Sequence, residues 1–233
     1  MNTTRSRTPR RQGPRRAKPT VRGGPEDTRL RLIEAAGQLF AAKGFDGVSV
    51  RELSARAGAN LAAIAYHFGS KEALYAEALR HGVRRVADSL RVSVLEAEAD
   101  PARRFRRHVR AFTQALLSPD NPAWTTRLML RELAGPTVAL SKVVDEVVRP
   151  NFDLIRDTLA QLLPRGTDPL KVALHVFSVV GQCIHYRNTA PVTLNLLGWR
   201  AYPSGFAEQL ADHVIDGTFR AIGRPELAGG RGP

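Results

Sequence analysis

The chain has 233 residues, 43% of them hydrophobic and 24% charged, a balance that argues against wholesale disorder and is typical of a globular protein. Its single cysteine, Cys183, excludes an internal disulfide framework and a cysteine-based zinc site, and it fits a reducing compartment. The formal net charge is +13 at pH 7, but eight basic side chains lie in residues 1–25, which contain no acid. The high charge therefore describes mainly the N-terminal segment.

Both ends of the chain have the composition of disordered tails. Residues 1–25 are rich in arginine and poor in large apolar side chains, and residues 224–233 are rich in glycine and proline. No uncharged apolar run reaches the ~18 residues that a membrane-spanning helix needs. The start of the chain also lacks the apolar stretch of a secretory signal. We therefore expect a cytoplasmic protein with no membrane partner.

Apolar periodicity and capping residues between the tails predict an all-α fold of about nine helices. The first helix ends at Lys43, and the others cover 49–57, 60–68, 71–98, 101–117, 122–134, 137–163, 169–188 and 204–222. Asp100, Asn121 and Asp168 each precede a proline and are expected to cap the helices that follow. Pro150 is expected to kink the helix 137–163 and to free the carbonyl of Glu146.

The two short helices around Gly58 carry the most functional information. Ser49 and Glu52 form a capping box at the start of the first helix, and Gly58 permits the positive φ of a sharp turn. The residues expected to form a small core with the first helix of the chain are Leu53, Ala57, Leu61, Ile64 and Phe68. The residues expected to face outward are Asn60, Ala62, Ala63, Tyr66 and His67.

This outward face suits the major groove of DNA. Small side chains let a helix sit deep in the groove, while Tyr66 and His67 can reach phosphates or base edges. Lys71 begins the next helix, where free backbone N–H groups favour a phosphate. The spacing favours a DNA-reading helix-turn-helix, and a plain corner in a helical bundle remains the alternative.

The same residues resemble the tetracycline-repressor (TetR) family over about residues 28–75. The segments that carry the resemblance are Ile33–Phe40, Lys43–Phe45, Ser49–Leu53, Ala57–Gly58 and Tyr66–Leu74. Within the last of them the string Tyr-His-Phe-Gly-Ser-Lys-Glu is highly specific. A shorter match, Phe177–Cys183, is similar to the branch with a CerR-type C-terminal domain.

The resemblance implies a homodimeric transcription factor and assigns roles to several residues. It implies a DNA-binding domain over 26–72 and a ligand-binding and dimerisation domain over 73–223. Arg51 would contact a base or phosphate. Together with Asn60 of the outward face, the full set of predicted DNA-binding residues is Arg51, Asn60, Leu61, Ala62, Tyr66, His67 and Lys71. Leu61, Ala62 and Tyr66 would face bases, whereas His67 and Lys71 would hold phosphates. Ala63 and Ala65 depart from the family, which often has Thr and Tyr there. Without those Thr and Tyr side chains, DNA binding is expected to depend more on Arg51, Tyr66, Lys71 and the N-terminal tail.

The helix 169–188 is apolar nearly all round and must be buried on most sides. We expect it to form the dimer contact together with the helix 204–222. Its few polar residues, His175, Ser178, Gln182 and His185, form one strip. This strip is either a wall of a ligand pocket, to which Trp124 and Leu128 would also belong, or a polar seam at the dimer interface. An apolar core with few polar groups indicates a small, mainly hydrophobic effector.

Arginines 103, 104, 106, 107 and 110 surround the apolar stripe of the helix 101–117. They form either a site for an anion or DNA, or a solvated face. Residues 190–203, which include Trp199 and Tyr202, are expected to be a covered surface loop.

No motif for a nucleotide-binding loop, a hydrolase nucleophile or a zinc protease is present. Cys183 is the only candidate nucleophile with nearby histidines, at positions 175 and 185, and its spacing on one helix puts neither in easy reach. We therefore expect no enzyme activity, no cofactor and no metal site.

These features predict a dimeric, ligand-responsive repressor that binds a near-palindromic, double-stranded operator. A small-molecule effector would shift the helix 122–134 against the long helix 71–98 and so alter the spacing of the two recognition helices. Two other classes stay open. One is a nonspecific DNA-coating protein that uses the tail and the arginines 103–110, and the other is a helical ligand-binding or catalytic module that uses the 175–185 strip.

Deletion of residues 1–25 should weaken binding to all DNA duplexes alike, because this segment adds positive charge that is not tied to sequence. The slope of log affinity against log salt should also flatten. Fluorescence anisotropy over a salt series measures both quantities. An unchanged affinity and slope would contradict a role for the tail.

Overall fold

The computed structural model describes residues 24–95 and 98–229, and within these ranges the chain is helical without a strand. The helices are α1 (Pro25–Lys43), α2 (Val50–Ala57), α3 (Ala62–Phe68), α4 (Lys71–Leu95), α5 (Pro101–Leu117), α6 (Ala123–Ala134), α7 (Val138–Val143), α8 (Arg149–Leu162), α9 (Pro169–Asn188), α10 (Ala190–Leu196) and α11 (Phe206–Ala221). A π-helical turn (Val144–Val148) joins α7 to α8, and a 3-10 turn (Pro225–Leu227) follows α11. The expected all-α fold is confirmed.

Two segments differ from the nine expected helices. The helix 137–163 is divided by the π turn, which ends two residues before Pro150. Since a proline ring crowds the carbonyl four residues earlier, a wider turn around Glu146 relieves the clash, and the expected kink takes this form. The expected loop 190–203 was wrong over its first half, which folds as α10.

Three of the four helix caps form as expected. The Ser49 hydroxyl accepts a hydrogen bond from the Glu52 amide at 3.2 Å. Asp100 and Asp168 likewise accept backbone N–H groups of α5 and α9, each at 3.0 Å. The cap expected from Asn121 was wrong. Its buried side chain turns inward, where it donates to the Leu116 carbonyl and accepts from the Thr125 hydroxyl, so it joins α5 to α6.

The buried apolar side chains form two clusters. The first gathers α1, α2, α3 and the start of α4 around Leu32, Ile33 and Phe40, which are fully buried. The second gathers α5, α8, α9 and α11 around Phe105 and Phe219, whose ring centroids are 5.4 Å apart. The apolar stripe predicted on α5 faces this second cluster.

The helices α6 and α7 pack with the first cluster although they follow α5 in the chain. Trp124 and Leu128 of α6, and Val143 and Val147 of α7 and the π turn, are buried there. Beyond the π turn, α8 contributes Ile155, Leu159 and Leu162 to the second cluster. The predicted limits 26–72 and 73–223 stay a prediction, since the first buried cluster draws on residues from both sides of position 72.

Trp124 sets the distance between three helices. A Cβ atom added to Gly37 of α1 would lie 2.5 Å from the Trp124 ring, and one added to Gly82 of α4 would lie 3.3 Å from it. Real Cβ contacts are essentially never as short as 2.5 Å. Glycine at these positions therefore allows α1 and α4 to close on the indole from two directions.

Substitution of Gly37 by alanine should destabilise the protein by about 1–3 kcal/mol, because the added methyl group overpacks the Trp124 site. This outcome opposes the helix-propensity gain of about 0.5–1 kcal/mol that alanine brings at an open position. Urea denaturation measures the free energy of unfolding.

Gly135→Ala is the matched control, since a Cβ atom added there would meet nothing within 4 Å and its φ of −145° suits any residue. It should change the unfolding free energy by less than about 0.5 kcal/mol. A Gly37→Ala protein as stable as the wild type would show that Trp124 is not tightly held.

Candidate nucleic-acid interface

The turn between α2 and α3 is held by a left-handed glycine and by an arginine from α1. Gly58 has φ 61° and ψ 35°, a conformation that L-residues with a side chain adopt only under strain. The Arg31 guanidinium donates to the carbonyl of Ala57 at 3.0 Å. These two features end α2 and fasten its last turn to α1.

Four of the five residues expected to form the small core pack inward. Leu53, Ala57 and Ile64 are buried, and Phe68 is half-buried beneath the Arg29 guanidinium. The inward placement of Leu61 was wrong, because its side chain is 48% exposed. Leu61 lies just ahead of α3, on the outer side of the turn, and so it projects away from α1.

The outer side of α3 presents a continuous face with no acidic residue. Its exposed members are Asn60, Leu61, Ala62, Ala65 and Tyr66. Tyr66 is 78% exposed, far more than a tyrosine that serves the core. The Asn60 side-chain oxygen accepts the Ala62 amide at 3.1 Å and thereby fixes the start of α3. Alanines beside one protruding tyrosine let this helix approach another surface closely.

Three cationic or titratable side chains lie around this face. Arg51 is exposed on α2, and the His67 ring is edge-on to Tyr66 with centroids 4.9 Å apart. The Lys71 ammonium rests 4.2 Å from the centroid of the Phe45 ring. An exposed cation–π contact is worth only about 0.5–1 kcal/mol, so Lys71 can leave the ring for a phosphate with little loss of stability.

Two polar links fasten α6 to α1 and so connect the rest of the molecule to the helix-turn-helix. The Trp124 indole N–H donates to the Glu34 carboxylate at 2.9 Å. At the other end of α6, the Arg131 guanidinium donates to the carbonyls of Ala41 and Ala42 at 2.8 and 2.9 Å. The start of α6 is held in turn by Arg187 of α9, which donates to the Thr126 hydroxyl at 2.8 Å and to the Asn121 carbonyl at 2.7 Å. Burial lowers the pKa of Arg187.

A buried carboxylate fixes the junction of α4, α6 and α7. Glu132 accepts hydrogen bonds from the Tyr75 hydroxyl at 2.5 Å and from the Thr137 amide and hydroxyl, both at 2.7 Å. Burial and the nearby Glu132 raise the pKa of Tyr75. Sequence reasoning missed Glu132 and Arg187, since one charged residue on an amphipathic helix reads as solvated. The sequence gives no signal that Glu132 is buried, because it directly follows Arg131 and the two residues look like a solvated pair at the end of α6.

The six residues predicted to bind an effector do not share one site. Trp124 and Leu128 are buried in the first cluster. On α9, Ser178, Gln182 and His185 are exposed or nearly so, and His175 is half-buried, where burial and Lys171 lower its pKa. Gln182 and His185 line a groove of about 320 Å³ together with Gly181, Tyr186, Leu210 and His213. The ligand-binding assignment of these six residues stays a prediction.

The outer face of α9 is apolar and open. Leu170, Leu174 and Phe177 of α9 are each more than half exposed, and they continue into the polar strip. A Cβ atom added to Gly181 of α9 or to Gly217 of α11 would meet nothing within 4 Å.

The segment 190–203 packs on this end of the molecule through its aromatic residues. Tyr202 stacks on Phe206 with ring centroids 4.5 Å apart, and its hydroxyl donates to the Tyr186 carbonyl at 2.6 Å. Trp199 meets Phe206 edge-on. Val192 and Leu196 of α10 remain exposed, so the segment is anchored at one side only.

The arginines of α5 are engaged within the protein. Arg103 pairs with Asp100, Arg107 with Glu98 and Arg110 with Asp212. Arg104 donates to Gln161, and the Arg106 guanidinium covers the Phe219 ring. This arrangement fits the expected solvated face better than an anion site.

Chemistry at Cys183 has no support in the structure. The thiol is fully buried, and burial raises its pKa to about 12, so it stays protonated at neutral pH. Among the residues described, no group of three or more His, Cys, Asp or Glu side chains is placed to hold a metal ion. None of the described helices is long and apolar enough to cross a bilayer.

Comparison with known proteins agrees with this geometry. Residues 32–78 match the family model of bacterial regulatory proteins of the tetR family. Residues 101–222 match the model for the C-terminal domain of the HTH-type transcriptional dual regulator CecR, which is the C-terminal type anticipated above as CerR-type.

Two relatives and one solved structure illustrate the range of similarity. CecR of Shigella flexneri is 29% identical over 192 residues, which are 78% of this chain and 85% of CecR. The transcriptional repressor AcnR of Corynebacterium efficiens is 35% identical over 66 residues, 28% of this chain and 35% of AcnR. The crystal structure of AibR with isovaleryl coenzyme A and operator DNA superimposes with a TM-score of 0.58 at 21% identity and covers 81% of this chain and 96% of AibR.

Both halves of the chain therefore find their counterparts in one group of proteins. The chain belongs to the TetR family of DNA-binding transcriptional regulators, with a C-terminal domain of the CecR type.

Proposed function

We propose that this regulator is a homodimeric repressor that binds a near-palindromic operator and leaves it when a small, mainly hydrophobic ligand binds. The observation that carries the proposal is the outer face of α3. This face has no acidic residue, contains the small side chains of Ala62 and Ala65, and exposes Tyr66. A face of this kind enters the major groove, where Tyr66, Leu61 and Ala62 contact bases. Lys71 and His67 at its end, with Arg51 on α2, hold the flanking phosphates.

The open face of α9 and α11 supports a dimer. It exposes Leu170, Leu174 and Phe177 side by side, and contiguous apolar surface of this kind marks a protein interface. The empty space above Gly181 and Gly217 lets two helices of a second copy approach closely. In this arrangement His175, Ser178, Gln182 and His185 form the polar seam, and the two α3 helices reach successive major grooves about 34–36 Å apart.

The connections of α6 supply a route from ligand to DNA. Through Arg187 this helix is held by α9, and through Trp124 and Arg131 it holds α1. A shift of α6 therefore moves the helix-turn-helix through α1 as well as through α4. AibR, crystallised with both an acyl coenzyme A and its operator, shows that a protein of this fold can combine the two kinds of partner.

Repression follows from the simplest use of such a dimer, which is to occupy promoter DNA and exclude the polymerase. AcnR, which is similar to 66 residues of this chain, is a repressor. CecR is a dual regulator, so activation at some promoters is the second candidate function. The paired arginines of α5 and the buried, protonated Cys183 give no support to a nonspecific DNA-coating protein or to an enzyme.

Fluorescence anisotropy of the protein on DNA from just upstream of its own gene tests the proposal. We expect the affinity to exceed that for a scrambled duplex of equal length by about 10³-fold or more, the low end for specific binders. Equal affinity for both duplexes at every salt concentration would overturn sequence-specific regulation at this site.

Two substitutions around the outer face of α3 should have different effects. Lys71→Gln should weaken binding to every duplex and reduce the salt slope by about 1, because it removes one phosphate contact. Tyr66→Ala should instead lose discrimination between native and scrambled DNA and leave the slope unchanged. Lys171→Gln on α9 removes the same charge away from α3 and serves as the control. Equal effects of Lys71→Gln and Lys171→Gln would contradict the phosphate contact.

Gly181→Ala tests the dimer face. In an isolated subunit this change has open space and should stabilise α9 slightly. At a packed interface the added methyl group should weaken the dimer about tenfold or more, as measured by sedimentation equilibrium. Gly135→Ala, outside α9 and α11, is the control. An unchanged dimerisation constant for Gly181→Ala would place the interface elsewhere.

A further inference from the structure

We propose that the cleft between α4 and α7, directly beside the helix-turn-helix, is a binding site for a small apolar anion, and that this ligand releases the DNA. The inference rests on the proposed function and names both a site and a ligand class for its effector. The cleft is open on one side and has a volume of about 330 Å³, within the range of about 300–1,000 Å³ common for small-molecule sites.

The walls of the cleft are apolar and belong to different parts of the molecule. Phe45 follows α1, Ala73 and Ala76 lie on α4, and Val138 begins α7. Val138 is 83% exposed, and small alanines opposite it leave room for a flat or slender molecule. Tyr75, whose hydroxyl is held by Glu132, gives the cleft a rigid aromatic surface.

The charges around the cleft favour an anion. Lys142 lines it from α7, and its ammonium has no hydrogen-bond or ion-pair partner among the residues described. A second ammonium, that of Lys71, lies on the Phe45 ring. The single acid of the lining, Glu72, is in the first turn of α4, where hydrogen bonds from the backbone and from Ser70 lower its pKa and keep it ionised. In the lining Lys142 is balanced by Glu72, and beyond it Lys71 is balanced by the buried Glu132, whose hydrogen bonds to Tyr75 and Thr137 are already formed. The ammonium of Lys142 is therefore the group that is left to bind an anion.

The position of the cleft explains how such a ligand opposes DNA. Its α4 wall follows α3 after only two residues, so a molecule wedged against α7 bears directly on the helix-turn-helix. An anionic group near Phe45 also draws Lys71 away from the phosphate that it is expected to hold. Anion and DNA phosphate then compete for the same ammonium group.

A second cavity serves this purpose less well. The groove at Gln182 and His185 lies on the α9–α11 face, which a second subunit covers in the proposed dimer. Trp124 and Leu128 line neither cleft.

The test uses two fluorescent probes that differ in charge. One is 1-anilinonaphthalene-8-sulfonate, an apolar anion, and the other is N-phenyl-1-naphthylamine, its neutral counterpart. Titration of the full chain without DNA should give a saturable site for the anion, with weaker binding of the neutral probe.

Ala73→Trp fills the cleft from an exposed position on α4 and should weaken anion binding about tenfold or more. Ala160→Trp, at an exposed position on α8, is the matched control and should leave binding unchanged. Lys142→Gln should weaken the anionic probe about three- to tenfold and leave the neutral probe unaffected, whereas Lys171→Gln should affect neither.

In a second step the anionic probe is added to the protein on its upstream DNA. It should lower the DNA affinity of the wild type at least fivefold and that of Ala73→Trp by less than twofold. Probe binding that survives both Ala73→Trp and Lys142→Gln would overturn the site. Because the first step needs no DNA, its failure is distinct from failure of the operator experiment, which needs no probe.

Discussion

The packing of one indole ring between two glycines holds the two halves of the molecule together. Trp124 lies against Gly37 of α1 and Gly82 of α4, at distances that a side chain on Gly37 would make impossible. Its N–H group is satisfied by Glu34, so the ring has a fixed orientation as well as a fixed depth. Since α1 is the helix on which α2 and α3 pack, the placement of this ring decides where the helix-turn-helix points.

Buried charge is handled in an unusual way along the same path. Glu132 is buried and Arg187 is half-buried, and within the described residues neither forms an ion pair. Each is instead surrounded by neutral dipoles: two hydroxyls and an amide around Glu132, and a hydroxyl and backbone carbonyls around Arg187. Removing such a charge leaves its neutral partners able to find other hydrogen bonds, whereas misplacing it leaves a desolvated ion. Glu132 therefore penalises small displacements of α6 and α7 steeply, and the half-buried Arg187 does so to a smaller extent.

Local signals in the sequence predicted local structure well. The caps at Ser49, Asp100 and Asp168 and the turn at Gly58 depend on residues within a few positions of each other, and all of them form. The outward face of α3 was likewise expected, apart from Leu61 in its small core and the half-buried Ala63 and His67. Asn121 was misread because its partner, the Leu116 carbonyl, belongs to the preceding helix and competes with the cap.

The position of the proposed effector cleft could not be predicted in this way. In the sequence, Trp124 and His175 each stand out as a single unusual side chain on a predicted helix. In the fold, Trp124 is buried in the first cluster, whereas His175 is half-buried on α9. The cleft at Phe45 and Lys142 joins residues nearly one hundred positions apart. No periodic pattern marks a contact of that range, since it depends on how α7 crosses α4.

The π turn at 144–148 has a consequence for how this chain tolerates change in length. The wide turn closes with i→i+5 hydrogen bonds where an α-helix closes with i→i+4, so it takes one residue more per turn than the helices on either side of it. A one-residue deletion inside the turn would therefore restore α-helical winding and leave Ile155 and Leu159 near their present orientation. A one-residue deletion within α8 has no such extra residue to remove, and it would rotate the residues on one side of it by about 100° relative to those on the other. The turn 144–148 is therefore expected to tolerate a change of length that α8 does not.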